Sequence, residues 1–163
     1  VGFMGTGKTS VGKILAKLLN RSVIDIDAAI EAQEKRKISE IFEKEGEAHF
    51  RVLEKEIIRR EVDKEGVVVT TGGGAVLDAD NWEAFRKKSV VVALLAKPET
   101  IFRRVRHSKH RPLLKSGNLL SEIKKLMALR EPFYHKADFY FETDAKNSSQ
   151  VARVILEKLE GKI

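Results

Sequence analysis

The run Gly2-Phe3-Met4-Gly5-Thr6-Gly7-Lys8-Thr9 is a complete G-x-x-x-x-G-K-[ST] phosphate-binding loop, and it restricts what can surround it. Glycines at Gly5 and Gly7 permit a tight curl whose backbone N–H groups point inward at phosphate oxygens. Thr6 and Ser10 complete the polar lining, Lys8 reaches β and γ phosphates, and the Thr9 hydroxyl is a ligand for Mg²⁺. Val11, Ile14, Leu15, Leu18 and Leu19 follow at helical spacing. The loop therefore opens into an amphipathic helix whose N-terminus faces the anion. A phosphoryl-transfer enzyme is the leading expectation. A buried strand should feed such a loop, and only Val1 precedes it here, so either the chain is trimmed or its first strand is unusually short.

Apolar, β-rich runs at 23–26, 67–69, 90–95 and 139–141 alternate with amphipathic helical stretches. This is the pattern of βα units around a parallel sheet. With the strand ending at Val1 the expectation is five strands. Helices are expected over 8–20, 27–36, 38–45, 47–63, 79–87, 98–106, 119–135 and 148–160. A chain of 163 residues, 42% hydrophobic, suits one well-buried domain. It has no cysteine and no apolar run of membrane-spanning length. A cytoplasmic enzyme, monomeric or weakly associating and without a membrane partner, is the expectation.

Lysine and arginine (31) exceed aspartate and glutamate (24) by 7, which favours anionic partners. The densest basic stretch runs from Arg103 through Arg104, Arg106 and Arg111 to Lys115, with no interleaved aromatic side chain on which bases would stack. Nucleic acid is therefore not expected as a partner. A phosphate-facing lid over 107–118, holding Pro112 and Gly117, accounts for the charge. The four histidines, His49, His107, His110 and His135, lack metal-ligand spacing.

Val23-Ile24-Asp25-Ile26-Asp27 is read as placing two carboxylates on one face of the second strand's C-terminal end, beside the phosphate loop. Cations and hydroxyls would relieve that like-charge pair, as Mg²⁺ and a polyhydroxy substrate would. Helix capping is the other reading of Asp27. Gly72-Gly73-Gly74 ends a β-branched strand, where α/β folds place ligand-binding turns, although a plain flexible turn also fits. That strand ends in threonines and offers no aspartate for a metal, so coordination rests on Thr9, with Asp25 or Thr70 acting directly or through water. Arg51 sits at the edge of an apolar helix face. It is either a site residue, a solvated arginine or a partner of Glu54.

Six motifs stand in register along nearly the whole chain. They are G-x-x-G-x-G-K-T-x-x-G (Gly2 to Gly12), D-x-D (Asp25, Asp27), G-E-x-x-F-R-x-x-E (Gly46 to Glu54), G-G-G-A (Gly72 to Ala75), R-P-L-L (Arg111 to Leu114) and L-R-E-P-F-Y (Leu129 to Tyr134). Together they resemble shikimate kinase. The resemblance implies transfer of the ATP γ-phosphoryl group to the 3-hydroxyl of shikimate, giving shikimate 3-phosphate and ADP in aromatic amino-acid biosynthesis. It also implies a three-layer P-loop fold of the nucleoside monophosphate kinase type. Its five-stranded parallel sheet would have the order 2-3-1-4-5, with a lid and a helical substrate-binding region over 27–63.

By the same likeness Asp27 would hold substrate hydroxyls and accept a proton, while Arg51 and Arg130 clamp the carboxylate beside Gly72, Gly73 and Gly74. Planar guanidinium groups suit that clamp because they make paired charge-assisted bonds. Arg111 would follow the transferring phosphoryl group. Arg104 and Lys146 or Asn147 would flank the adenine. Family lids carry small residues before the lid arginine, where this chain has Ser108-Lys109-His110. Two rivals remain: a kinase of another small acid or polyol, such as gluconate, and a nucleotide-binding protein without catalysis.

Overall fold

Short apolar segments pair in parallel, and the helices joining them cover the sheet unevenly, leaving Val23 and Tyr140 exposed. A computed structural model of the chain describes residues 1–106 and 118–162. In it β1 (Ser22–Asp25) lies beside β2 (Val67–Thr70), in register from Ser22 with Val67 to Asp25 with Thr70. β3 (Val92–Leu95) lies beside β4 (Phe139–Glu142), from Val92 with Phe139 to Leu95 with Glu142. The first of the five expected strands is reduced to a stub. Gly2 makes a single parallel bridge to Leu94, and Leu94 N–H donates to the Val1 carbonyl at 2.9 Å. Among the described residues there are thus four strands, in two parallel pairs.

The helices are α1 (Lys8–Leu18), α2 (Ile26–Glu34), α3 (Ile38–Val62), α4 (Ala79–Lys88), α5 (Pro98–Val105), α6 (Leu119–Tyr134) and α7 (Ser148–Leu159). The two helices expected on either side of Gly46 meet within α3 at a kink on that glycine, whose φ of 81° and ψ of 176° leave the helix. A positive φ suits glycine because a side chain would crowd its own flanking carbonyl, although the space around Gly46 is otherwise open. Gly12 is needed for close packing instead. A Cβ on it would strike the Thr70 methyl group, so α1 crosses β2 only because the side chain is absent.

Two apolar clusters hold the elements together. Phe3, Ile26, Ile30, Ile41, Ile57, Val76, Ile101 and Ile123 belong to one. Val11 and Leu15 of α1 meet Val151, Ala152 and Ile155 of α7 in the other. Ile57 is fully buried, and truncating such a side chain to alanine costs about 2–5 kcal/mol. No helix among the described residues is long and apolar enough to cross a membrane.

Candidate active site

The phosphate loop has the backbone its glycines suggest. Gly5 and Gly7 take φ of 77° and 96°, in the left-handed region. Thr6 is buried and donates to the Phe3 carbonyl at 2.8 Å, pinning the curl from inside. Lys8 Nζ donates to the same carbonyl at 3.0 Å, which folds the ammonium back over the loop. Gly7 caps α1 without a side-chain bond, leaving the first-turn amides for an anion. Ser10 is exposed within the first turn of α1.

Asp25 is the hub beneath the loop. Its Oδ2 accepts from Thr9 Oγ1 at 2.8 Å and from Thr70 Oγ1 at 2.9 Å. Its Oδ1 accepts from the Ala28 N–H at 3.2 Å, so Asp25, and not Asp27, caps α2. The strand pleat does not carry Asp27 into the site, contrary to expectation: the strand ends at Asp25 and Ile26 already belongs to α2, so Asp27 approaches from a first helical turn. Thr9 and Asp25 offer hard oxygen donors, which suit Mg²⁺ that also takes phosphate oxygens. Among the described residues no group of three or more His, Cys, Asp or Glu is arranged to hold a metal alone.

Asp27 Oδ1 is buried and accepts no hydrogen bond, and Glu54 Oε1 is in the same condition. Both face Gly72, where a Cβ would lie 3.0 Å from the aspartate oxygen and 2.8 Å from the glutamate oxygen. Burial, and then the Asp25 charge, push the Asp27 carboxyl above its usual range, against the pull of Lys8 and Arg51. Burial likewise raises Glu54, opposed first by Arg51.

Arg51 bonds Glu47 Oε1 at 2.8 Å through Nη2 and Glu54 Oε2 at 2.7 Å through Nη1, and it lies over the Phe50 ring. Arg130 is 4% exposed and sits over Phe3, with its carbon Cζ 5.6 Å from the ring centre. The glycine turn threads between these cations. A Cβ on Gly74 would collide with the Arg51 guanidinium, and one on Gly73 would lie 3.5 Å from Arg130 Nη1. Asp27, Arg51, Glu54, the three glycines and Arg130 line one cavity of about 590 Å³, with Phe42 and Phe50 as an apolar wall.

Arg104 bonds the Gly5 carbonyl at 3.1 Å, Thr143 Oγ1 at 3.0 Å and the Thr143 carbonyl at 2.7 Å. It ties the phosphate loop to the connection after β4. Lys146 is exposed in that connection, and Asn147 caps α7 through Gln150. Arg111 and all of the lid expected over 107–118 except Asn118 lie outside the described residues, while Asn118 caps α6 by accepting from Ser121 N–H at 3.2 Å. Glu54 and Thr143 are site features that the residues do not announce along the chain. Glu54 stands in a motif and suggests only a helix partner of Arg51, and its burial has no local signal.

A family model described as shikimate kinase matches residues 4–160. A shikimate kinase of Caldicellulosiruptor saccharolyticus is 44% identical over 155 residues, covering 95% of this chain and 90% of that protein. One of Thermodesulfovibrio yellowstonii is 42% identical over 160 residues, with coverages of 98% and 92%. The solved structure of shikimate kinase from Acinetobacter baumannii in complex with shikimate superposes with a TM-score of 0.95 at 36% identity, covering 99% of this chain and 92% of that one. A phosphate loop, a carboxylate and two arginines around one cavity, and likeness of this extent in sequence and in backbone all point the same way: the chain belongs to the shikimate kinase family.

Proposed function

We propose that the cavity binds shikimate and that the chain transfers the γ-phosphoryl group of Mg·ATP to its 3-hydroxyl. The observation that carries this reading is the buried Asp27 Oδ1, left without a hydrogen-bond partner in a cavity that two arginines also enter. An orphaned buried carboxylate oxygen is costly, and a substrate hydroxyl would satisfy it. Arg51 and Arg130 supply the cations for a carboxylate at the other end of the same ligand.

In the step itself the hydroxyl oxygen forms a bond to the γ-phosphorus as the bond to the β–γ bridging oxygen breaks and ADP leaves. The hydroxyl proton passes to Asp27 Oδ1, whose raised proton affinity suits an acceptor. Lys8 and the α1 amides neutralise phosphate charge, and Arg111 of the lid follows the transferring group. Mg²⁺ would be held by Thr9 and Asp25, and when bound it supplies positive charge to the phosphates. Arg104 and Lys146 are assigned to the adenine side.

The reading includes one sheet in the order β1, β2, the Val1–Gly2 stub, β3, β4, which is 2-3-1-4-5 with the stub counted as the first strand; the bridge from Gly2 to Leu94 supports this. It takes the chain as one kinase domain acting as a monomer in the cytoplasm, with residues 27–63 on the substrate side. ADP release from ATP, assayed with shikimate, gluconate and a neutral polyol in parallel, tests it. Turnover with shikimate alone is expected. Turnover with gluconate alone selects the other-acid kinase, and ATP binding without turnover on any acceptor selects the silent nucleotide-binding protein.

A further inference from the structure

Tyr134 ends α6 one helical turn after Arg130, so the two side chains share a face. It is 3% exposed, and its hydroxyl donates to the Gly73 carbonyl at 2.7 Å across 61 residues of sequence. Burial pushes the pKa of that hydroxyl up to about 12, and the neighbouring Arg130 cation pulls against it. One oxygen thus ties the helix that carries Arg130 to the glycine turn beside it, where a Cβ on Gly73 would lie 3.5 Å from Arg130 Nη1. Gly73 also packs closely on the phosphate loop, since a Cβ there would lie 3.1 Å from the Met4 nitrogen and 3.4 Å from the Gly2 carbonyl oxygen.

We propose that Tyr134 is a positioning residue for substrate recognition: its hydroxyl sets the separation of Arg130 from the Gly73 carbonyl, and so the shape of the carboxylate cradle. This rests on the reading that Arg130 holds the substrate carboxylate. Arginine loses considerable rotamer freedom when it binds an anion, and a side chain held beforehand loses less. Arg130 has the Phe3 ring beneath its guanidinium and Gly73, held by the tyrosine hydroxyl, beside its Nη1. The hydroxyl is the part that can be removed without disturbing the ring, which stays packed in the apolar cluster.

The mechanism of the reaction needs no group at this position, and a buried tyrosine with a satisfied hydroxyl is common in cores. A core role and a positioning role differ in what they do to kinetics. The test is Tyr134→Phe, assayed with both substrates varied and with thermal unfolding recorded on the same preparation. A rise of about tenfold in the shikimate KM, with the ATP KM unchanged and kcat within about twofold, is expected for loss of the one hydrogen bond that holds the glycine turn against α6.

An unchanged shikimate KM in a folded variant overturns the proposal, whether or not Tm falls. So does an equal rise in both KM values, which would mean general loosening of the site. Arg130→Ala run alongside separates the two levels. If it leaves the shikimate KM unchanged, the carboxylate reading fails and this inference fails with it. If it raises that KM while Tyr134→Phe does not, only the inference fails.

Discussion

Arg51 Nη1 meets Glu54 Oε2 at 2.7 Å while Glu54 is 1% exposed and its other oxygen is unbonded. A buried carboxylate is thereby held by the cation that is also assigned to the substrate, which gives Arg51 two duties. Removing it separates them. Arg51→Ala should raise the shikimate KM by about tenfold or more and cost roughly 3 kcal/mol of stability, because an uncompensated buried charge remains. The double variant Arg51→Ala/Glu54→Gln should recover much of that stability without recovering KM. Urea unfolding and steady-state kinetics on the two variants measure both; equal stability in both would show that Glu54 does not depend on Arg51.

Asp27 should behave oppositely in stability. Its carboxylate is desolvated and lies near Asp25, so its charge opposes folding. Asp27→Asn should lower kcat by about 10²–10⁴-fold, the usual worth of a positioned proton acceptor, while raising Tm. Near-normal turnover would remove the proton-acceptor role.

The same shift has a pH signature. An aspartate whose folded pKa is raised binds its proton more tightly in the native state, so its destabilisation is absent below the ordinary value of 3.8 and fully present above the raised one. Activity runs the other way, since only the unprotonated form accepts a proton. The acid limb of kcat/KM should therefore lie above pH 3.8, in a range where circular dichroism still reports folded protein. A limb at the ordinary aspartate value would show that Asp27 is solvated in the free enzyme.

Gly74→Ala tests the glycine turn without touching charge. The added methyl group would overlap the Arg51 guanidinium, so the arginine must leave its place between Glu47 and Glu54. A rise of about tenfold in the shikimate KM with little change for ATP is expected. Unchanged kinetics would mean that Arg51 can turn aside without loss of binding.

Much of this is legible in the residues. Helical periodicity places α1, α6 and α7 to within one or two positions, since an amphipathic face repeats locally. Gly46 divides two helical stretches in the sequence and in the structure alike, because a positive φ is a local property. Asp27 belongs to the cavity, but not for the reason the strand alternation suggests, as the pleat ends at Asp25. Its membership depends on α2 leaving the strand at Ile26, which depends in turn on Asp25 capping that helix. The link from Arg104 to Thr143 joins residues 39 apart, and no spacing along the chain announces such a bond.

The sequence by itself determined the phosphate loop, the helices and the identity of the charged groups, because these follow from short-range sterics and spacing. Tertiary structure decided which charges are buried and what each one faces. Asp27 is singled out in the sequence and Glu54 is read only as a helix partner, yet packing α2 and α3 against the glycine turn desolvates both and aims an unpartnered oxygen of each at Gly72. Desolvation is set by neighbours that are distant along the chain. That packing sets these two carboxylates side by side in the cavity with unpaired oxygens.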